Sequence, residues 1–205
     1  CDRCIAVDGN GNEVDGDKML YILGKRLKSR GMLNDDTVVA TIMSNSGFIN
    51  SLAKAGMKCV QTDVGDRFVY ECMQQNDYSL GGEQSGHIII KKYATTGDGL
   101  LTAIMITEEI CDSKHSLLEL SDGVKLYPQI TKNVRVRDKE EVLNDNLVLE
   151  EKAKIEELIN GKGRILLRKS GTEPVIRVMV ESEENAVDYA ERLANFIVER
   201  GYSVG

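Results

Sequence analysis

The sequence predicts an α/β protein in two parts. The first is a three-layer α/β domain with a mixed, largely parallel sheet; the second is a small α+β domain with an antiparallel sheet and two helices. Three observations carry this prediction. Before Ser121, short β-branched runs alternate with helical periods of roughly 10–15 residues, the pattern of strands joined by crossover helices. Thr37 to Met43 (TVVATIM) is continuous and β-branched, as in a strand covered on both faces. After Ser121-Asp122-Gly123 the order changes to an extended stretch, a helix, two consecutive strands and a last helix.

Taken in order, Ile5 to Val7 reads as a first strand, and Asp8 to Gly16 (DGNGNEVDG) as a turn-rich stretch without apolar period. From Asp17 a helix is expected, with Met19, Leu20, Leu23 and Leu27 on one face and Gly31 just past its end. After the strand at Thr37 to Met43 come a helix over Phe48 to Ala55, stopped at Gly56, and a strand over Met57 to Thr62. Phe68, Val69, Cys72 and Met73 place a helix over Asp66 to Gln75. A short strand near Ser79, a glycine-rich turn and a strand over His87 to Ile90 follow. A longer helix from Asp98 carries Leu101, Ile104, Met105 and Glu108 before the chain reaches Ser116. In the second part, Val124 to Arg137 is extended and a helix spans about Asn146 to Ile159. Strands then cover Gly163 to Arg168 and Val175 to Glu181. The last helix, Glu183 to Arg200, keeps Val187, Ala190, Leu193, Phe196 and Ile197 on one face. The boundary between the parts falls around residues 123–133.

Composition narrows the function classes. Hydrophobic residues make up 41% and charged residues 29% of the 205, the balance of a folded globular chain. No apolar run approaches the ~18 residues a membrane helix needs, so a membrane partner is not expected. A net charge of −7 and the lack of any Trp argue against a nucleic-acid partner. Five cysteines, an odd number, favour free thiols in a reducing, cytoplasmic compartment. Cys1 and Cys4 form an isolated C-x-x-C with no second pair at ligand spacing, which reads as two thiols rather than a metal or redox site. The chain opens Cys1-Asp2-Arg3-Cys4, without initiator Met or signal peptide, and is read as cut from something longer.

The richest stretch chemically is Arg168-Lys169-Ser170-Gly171-Thr172-Glu173-Pro174-Val175-Ile176-Arg177, a loop between two strands. A phosphate dianion is held by planar guanidinium donors, short hydroxyls and free backbone N–H groups. Residues 162–177 carry five Lys/Arg against one acid inside an acidic chain. Arg168, Ser170, Gly171, Thr172 and Arg177 are therefore candidate phosphate ligands. The plainer alternative is a polar hairpin whose arginines pair with nearby carboxylates. The second stretch, Gly81-Gly82-Glu83-Gln84-Ser85-Gly86-His87, presents Glu83, Ser85 and His87 from a flexible turn and can bracket sugar hydroxyls. A hairpin turn with a capping Glu accounts for it equally well. It has neither the G-x-S-x-G spacing of a nucleophile elbow nor the G-x-G-x-x-G of a dinucleotide site.

Three weaker pieces remain. Val64-Gly65-Asp66-Arg67 is a ligand-facing turn or, more simply, a cap in which Asp66 opens a helix. Thr95 to Gly99 (TTGDG) either offers a helix N-terminus to an anion or is ordinary capping. Asp2 alone is one carboxylate, whereas a hard metal needs several oxygens. His115 reads as a solvated loop residue.

Together these segments resemble the α-D-phosphohexomutase family, over essentially the whole chain and in the expected order. Gly82 to His87, Arg168 to Pro174 through Arg177, and Asp2-Arg3-Cys4 carry the resemblance; Val64 to Arg67 and Thr95 to Gly99 fit the same pattern. Gln84 and the Ser-Gly-Thr of the phosphate loop point to the glucosamine branch rather than to the glucose or mannose branches. The resemblance implies a four-domain protein of which this chain is the third and fourth domains. Residues 1–15 would be a remnant of the preceding metal-loop domain and 16–123 the sugar-binding domain. A hinge over 124–132 would lead to the phosphate-binding domain at 133–205. Glu83, Ser85 and His87 would read sugar hydroxyls. Arg168, Ser170, Gly171, Thr172 and Arg177 would hold the phosphate that is not reacting, and Gly65, Asp66 and Arg67 would form a substrate loop. Asp2 would be the last of three aspartates binding Mg2+, with Arg3 a catalytic position beside it.

The implied activity is interconversion of glucosamine 6-phosphate and glucosamine 1-phosphate through a phosphoserine and a bisphosphate. That phosphoserine and the other two aspartates belong to domains absent here, so the chain alone is expected to bind sugar and phosphate without turning them over. A phosphoglucomutase or phosphomannomutase, a non-catalytic phosphosugar-binding module and a purely structural domain are the alternatives.

Overall fold

A computed structural model describes residues 1–202. The last three residues of the expected C-terminal domain lie outside the described residues. The chain divides into two compact units, Cys1–Leu126 and Tyr127–Gly205.

The first unit opens with a two-stranded antiparallel ribbon, β1 (Ala6–Val7) and β2 (Glu13–Val14), so residues 1–15 pack within this unit. Helix α1 (Gly16–Ser29) starts at Asp15, whose carboxylate accepts from the Lys18 N–H at 3.1 Å and so satisfies one free donor of the first turn. Then come β3 (Thr37–Thr41), α2 (Ser46–Lys54), β4 (Lys58–Thr62), α3 (Asp66–Gln75), β5 (Leu80–Gly82), β6 (Ile88–Ile90), α4 (Gly99–Ser113) and the short α5 (Leu117–Ser121). The sheet order is β4-β3-β5-β6, with β3 parallel to both β4 and β5, and β6 antiparallel to β5. Alternation along the strands makes the three layers. Val38, Ala40, Leu80, Ile88 and Ile90 join a core with α1, α2 and α4, while Val39 and Ile89 pack against Val69 and Met73 of α3.

Several expected details shift. The central strand stops at Thr41, because Ile42 and Met43 already turn toward α2. The strand expected over Met57 to Thr62 is a sheet edge and is half-exposed. On α4 the inward residues are Thr102, Met105 and Ile106, whereas Ile104 is 50% exposed. Short α5 has little periodicity to betray it in the sequence; a capping box between Ser116 and Glu119 fixes it.

The second unit contains β7 (Gln129–Arg135), α6 (Lys139–Asn144), α7 (Asn146–Ile159), β8 (Gly163–Lys169), β9 (Val175–Ser182) and α8 (Ala186–Ile197). Its antiparallel sheet has the order β7-β9-β8. Helices α7 and α8 cover one face, burying Val134, Ile165, Ile176, Val178 and Val180. To the two expected helices the structure adds α6, capped by Asp138. Helix α8 begins at Ala186, not Glu183; Val187 in its first turn is 47% exposed, while Ala186 lies in the core with Ala190, Leu193 and Ile197. No helix of the described residues is long and apolar enough to cross a membrane.

Candidate functional site

In parallel α/β sheets the loops leaving the strand carboxyl ends form the crevice where ligands bind. Here the loops after β3, β4 and β5 meet at that end. Arg3, Glu13 and Asp15 line a cleft of about 430 Å3 together with Thr41, Met43, Val64, Glu83, Gln84 and Ser85. Of these, Arg3, Glu83 and Ser85 are expected site residues. A second hollow, of about 480 Å3, lies at the opposite end of the sheet and contains none of the expected site residues.

The β5–β6 turn is held from several sides. Across its base Glu83 N–H donates to the His87 carbonyl (2.9 Å), and Gly86 N–H donates to the Glu83 carbonyl (3.0 Å). Outside the turn, Gly16 N–H donates to the Gln84 carbonyl (2.9 Å) and Cys4 N–H to the Gly86 carbonyl (3.0 Å). The Gln84 side chain donates to Asp15 at 3.1 Å, tying the turn to the cap of α1. A Cβ at Gly86 (φ +87°) would sit 2.0 Å from the Cys4 carbonyl oxygen, so only glycine lets residues 1–4 lie against the turn. Gly99 N–H donates to the Cys1 carbonyl at 3.0 Å, so the Asp2-Arg3 segment is pinned at both ends.

Glu83 is half-buried; it accepts from Gly65 N–H (3.2 Å) and from Ser85 Oγ (3.4 Å). Ser85 is exposed at the cleft. His87 behaves differently from the expectation. It is 6% exposed and does not line the cleft, and its Nε2 accepts from Gly97 N–H at 2.8 Å. That bond places the proton on Nδ1, which lies 3.8 Å from Asp2, while Nε2 is 3.8 Å from Asp66. The imidazole thus fastens the 95–99 loop to the turn, near the exposed Asp2 carboxylate.

The expected cap at Asp66 is corrected: the N-cap of α3 is Gly65 (φ +134°), and Asp66 occupies the first helical turn. Arg67 is exposed and pairs with Glu71 at 2.7 Å along its own helix, away from the cleft lining. Burial pushes the Cys59 thiol up to about 12 and raises Cys4 as well, so neither is a thiolate near neutrality. Among the described residues no three His, Cys, Asp or Glu side chains gather as a metal site would require.

In the second unit Arg168 lies directly opposite Arg177 across β8 and β9, and Asn133 lies opposite Arg177 on β7. Cross-strand partners share a face, so two guanidinium groups stand side by side, an arrangement that costs energy without an anion. Among the described residues Arg177 meets only Glu173, at 3.7 Å, and its buried Nε has no hydrogen-bond partner there. The loop beside them is built from within. Ser170 is buried, its N–H donates to the Val175 carbonyl (3.0 Å), and its Oγ accepts from Glu173 N–H (3.3 Å). Lys139 of α6 donates to the Ser170 and Glu173 carbonyls. Thr172 is exposed, and a Cβ at Gly171 would meet nothing within 4 Å, so open space adjoins that backbone.

The first unit is three-layered with a cleft at its strand ends, and the second carries paired arginines beside a Ser-Gly-Thr loop. The chain belongs to the phosphoglucomutase/phosphomannomutase family: the model of its alpha/beta/alpha domain III matches residues 15–127, and that of its C-terminal domain matches 132–199. Among relatives, it is 48% identical to the phosphoglucosamine mutase of Oceanobacillus iheyensis and 50% identical to that of Bacillus subtilis. Each match covers 96% of this chain and 44% of the relative, so the chain spans less than half the length of these proteins. Among solved structures it shares the fold of the Aspergillus fumigatus N-acetylphosphoglucosamine mutase in complex with GlcNAc-6P and magnesium. The TM-score there is 0.71 at 19% identity, covering 96% of this chain and 46% of that one.

Proposed function

We infer that this chain is the C-terminal half of a phosphoglucosamine mutase, an isomerase interconverting glucosamine 6-phosphate and glucosamine 1-phosphate. The observation that carries this reading is the paired Arg168 and Arg177, with an unsatisfied Nε, beside an open Ser-Gly-Thr backbone. Identity near 50% to phosphoglucosamine mutases supports the glucosamine branch. The five free thiols support a reducing, cytoplasmic setting.

In this reading Arg168, Ser170, Gly171, Thr172 and Arg177 hold the phosphate that is not reacting. Each charge-assisted bond shielded from water contributes about 1.5–3 kcal/mol. Glu83 accepts from a sugar hydroxyl and Ser85 donates or accepts at the cleft. His87 acts one step behind them, keeping the turn and the 95–99 loop in place. Arg3, fixed between two backbone anchors, brings a positive charge to the cleft where phosphoryl charge develops. Gly65 contributes its N–H to Glu83, and Asp66 and Arg67 form the rim of that loop.

Magnesium fits this chain only in part. The ion takes about six oxygens in near-octahedral array, and Asp2 supplies a single exposed carboxylate. The residues present do not make the site by themselves, and no step is derived through it. The phosphoserine and the remaining ligands fall to the N-terminal portion of the whole protein, so the isolated chain binds but does not turn over substrate.

The test is a residue-resolved NMR titration of the chain with glucosamine 6-phosphate, glucose 6-phosphate and inorganic phosphate. Shifts at both 83–87 and 168–177, larger for the sugar phosphates, are expected. Shifts confined to 168–177 with no sugar preference would overturn the sugar assignment. Product formation by the isolated chain would overturn the division of labour.

A further inference from the structure

The antiparallel register of the second unit places a further arginine on the same face as the clamp. On β9, Val175, Arg177, Met179 and Glu181 alternate away from the helix-covered face. Their partners on β8 are Arg168, Leu166 and Arg164, and on β7 they include Arg135, opposite Val175, and Asn133, opposite Arg177. Arg135 is therefore diagonal to Arg177, within the ~7–8 Å over which long side chains meet. It stands about two strand spacings, near 10 Å, from the β8 strand that carries Arg168. Three guanidinium groups can converge from three adjacent strands onto one anion a few ångströms above the sheet.

Most other cations of this unit near the loop are already committed; exposed Arg137, just past the end of β7, is the exception. Arg164 lies 3.5 Å from the buried Glu181, and Lys169 pairs with Glu140. Lys162 lies 3.3 Å from Glu183, and Lys139 is bonded to loop carbonyls. Arg135 is exposed and has no ion-pair partner among the described residues, and the same holds for Arg168. Arg177 has only the 3.7 Å contact to Glu173. A trio with a single long carboxylate contact among them, on one end of a sheet face in a chain of net charge −7, marks a place prepared for a compact anion of charge near −2.

We propose that Arg135 is a third guanidinium of the phosphate site, with Asn133 placed to donate from its amide, so that a phosphate monoester is held from β7 as well as from β8 and β9. This rests on the reading of residues 168–177 as a phosphate clamp. Because β7 follows directly on residues 124–128, phosphate binding at Arg135 also restrains the strand that leads out of the segment joining the two units.

The experiment is a titration of the 205-residue chain with inorganic phosphate, followed by amide shifts, for the wild type and the Arg135→Gln, Arg135→Lys and Arg177→Gln variants. Loss of one charge-assisted contact predicts about tenfold weaker binding for Arg135→Gln. It also predicts a shallower dependence of affinity on ionic strength, which a mere packing role would not produce. Arg135→Lys, which keeps the charge without the fork, falls between the two and keeps the test open should the Gln variant not fold. Wild-type affinity in Arg135→Gln alongside loss of binding in Arg177→Gln overturns the role of Arg135 and leaves the clamp standing. No saturable response in the wild type, or unchanged binding in Arg177→Gln, overturns the clamp and the inference together.

Discussion

A methyl group at Gly16 would land 2.0 Å from the Glu83 carbonyl oxygen and 2.8 Å from the Gly86 nitrogen, inside backbone that cannot move without carrying the turn with it. The same methyl at Gly171 meets nothing within 4 Å. The two glycines therefore serve opposite ends. Gly16→Ala is expected to cost about 1–3 kcal/mol, read as a lower urea midpoint, and to shift the 83–87 amides. Gly171→Ala should leave stability within about 0.5 kcal/mol while weakening phosphate binding, since the added carbon occupies the anion's approach. Equal destabilisation by both would contradict this division. At this scale the sequence revealed residue types but not their orientation. Glu83 and Ser85 reach the cleft as their polarity suggested, whereas His87, equally polar, turns inward to accept from Gly97. Nothing in Gly-His-Ile distinguishes those two fates.

Helices α1 and α4 are joined by one buried cation. Arg26 is 3% exposed and bonds Glu108 (2.8 Å), Glu109 (2.7 Å) and Asp112 (3.2 Å). Arg26→Met should cost about 2–3 kcal/mol at neutral pH by leaving the α4 carboxylates without their partner. The penalty should also depend on pH. The Asp112 carboxyl is held below the usual carboxylate range, first by its hydrogen bond to Arg30, against partial desolvation, and then by Arg26. A depressed folded pKa stabilises above the unfolded value of about 3.9 and loses that contribution as pH falls through the folded value. The gap in stability between wild type and Arg26→Met should therefore shrink below about pH 4, and denaturant curves at a series of pH values test it; a gap independent of pH would refute the ion-pair account. At this scale most elements were legible because 3.6- and 2-residue periods are local properties. Those that escaped, α5 and α6, are five and six residues long, fixed by caps rather than by an apolar stripe. The exposure of Val187 escaped because it stands at the edge of the α8 stripe, one residue and so about 100° round from the buried Ala186.

Across the whole molecule the charge is unevenly placed: net −7 overall, yet three lightly paired arginines stand at one end of the β7-β9-β8 sheet. A small dianion can use that spot, whereas a duplex spreads its charge over a surface that is mostly acidic. At about 150 mM salt, where exposed charges are screened beyond ~8 Å, labelled duplex DNA should show no anisotropy change with the chain while phosphate still shifts its amides. Micromolar DNA binding would refute this placement of charge. The sequence by itself determined the α/β-then-α+β order, the presence of a polar turn at 82–87 and the Arg-Ser-Gly-Thr loop, because each is written in contiguous residues. Only the tertiary structure decided that Asp15, Gln84 and Arg3 share one cleft, that His87 is a fastening rather than a cleft residue, and that Arg135 joins Arg168 and Arg177. Strand register and sheet order pair residues tens of positions apart, and no local period encodes which strand lies beside which.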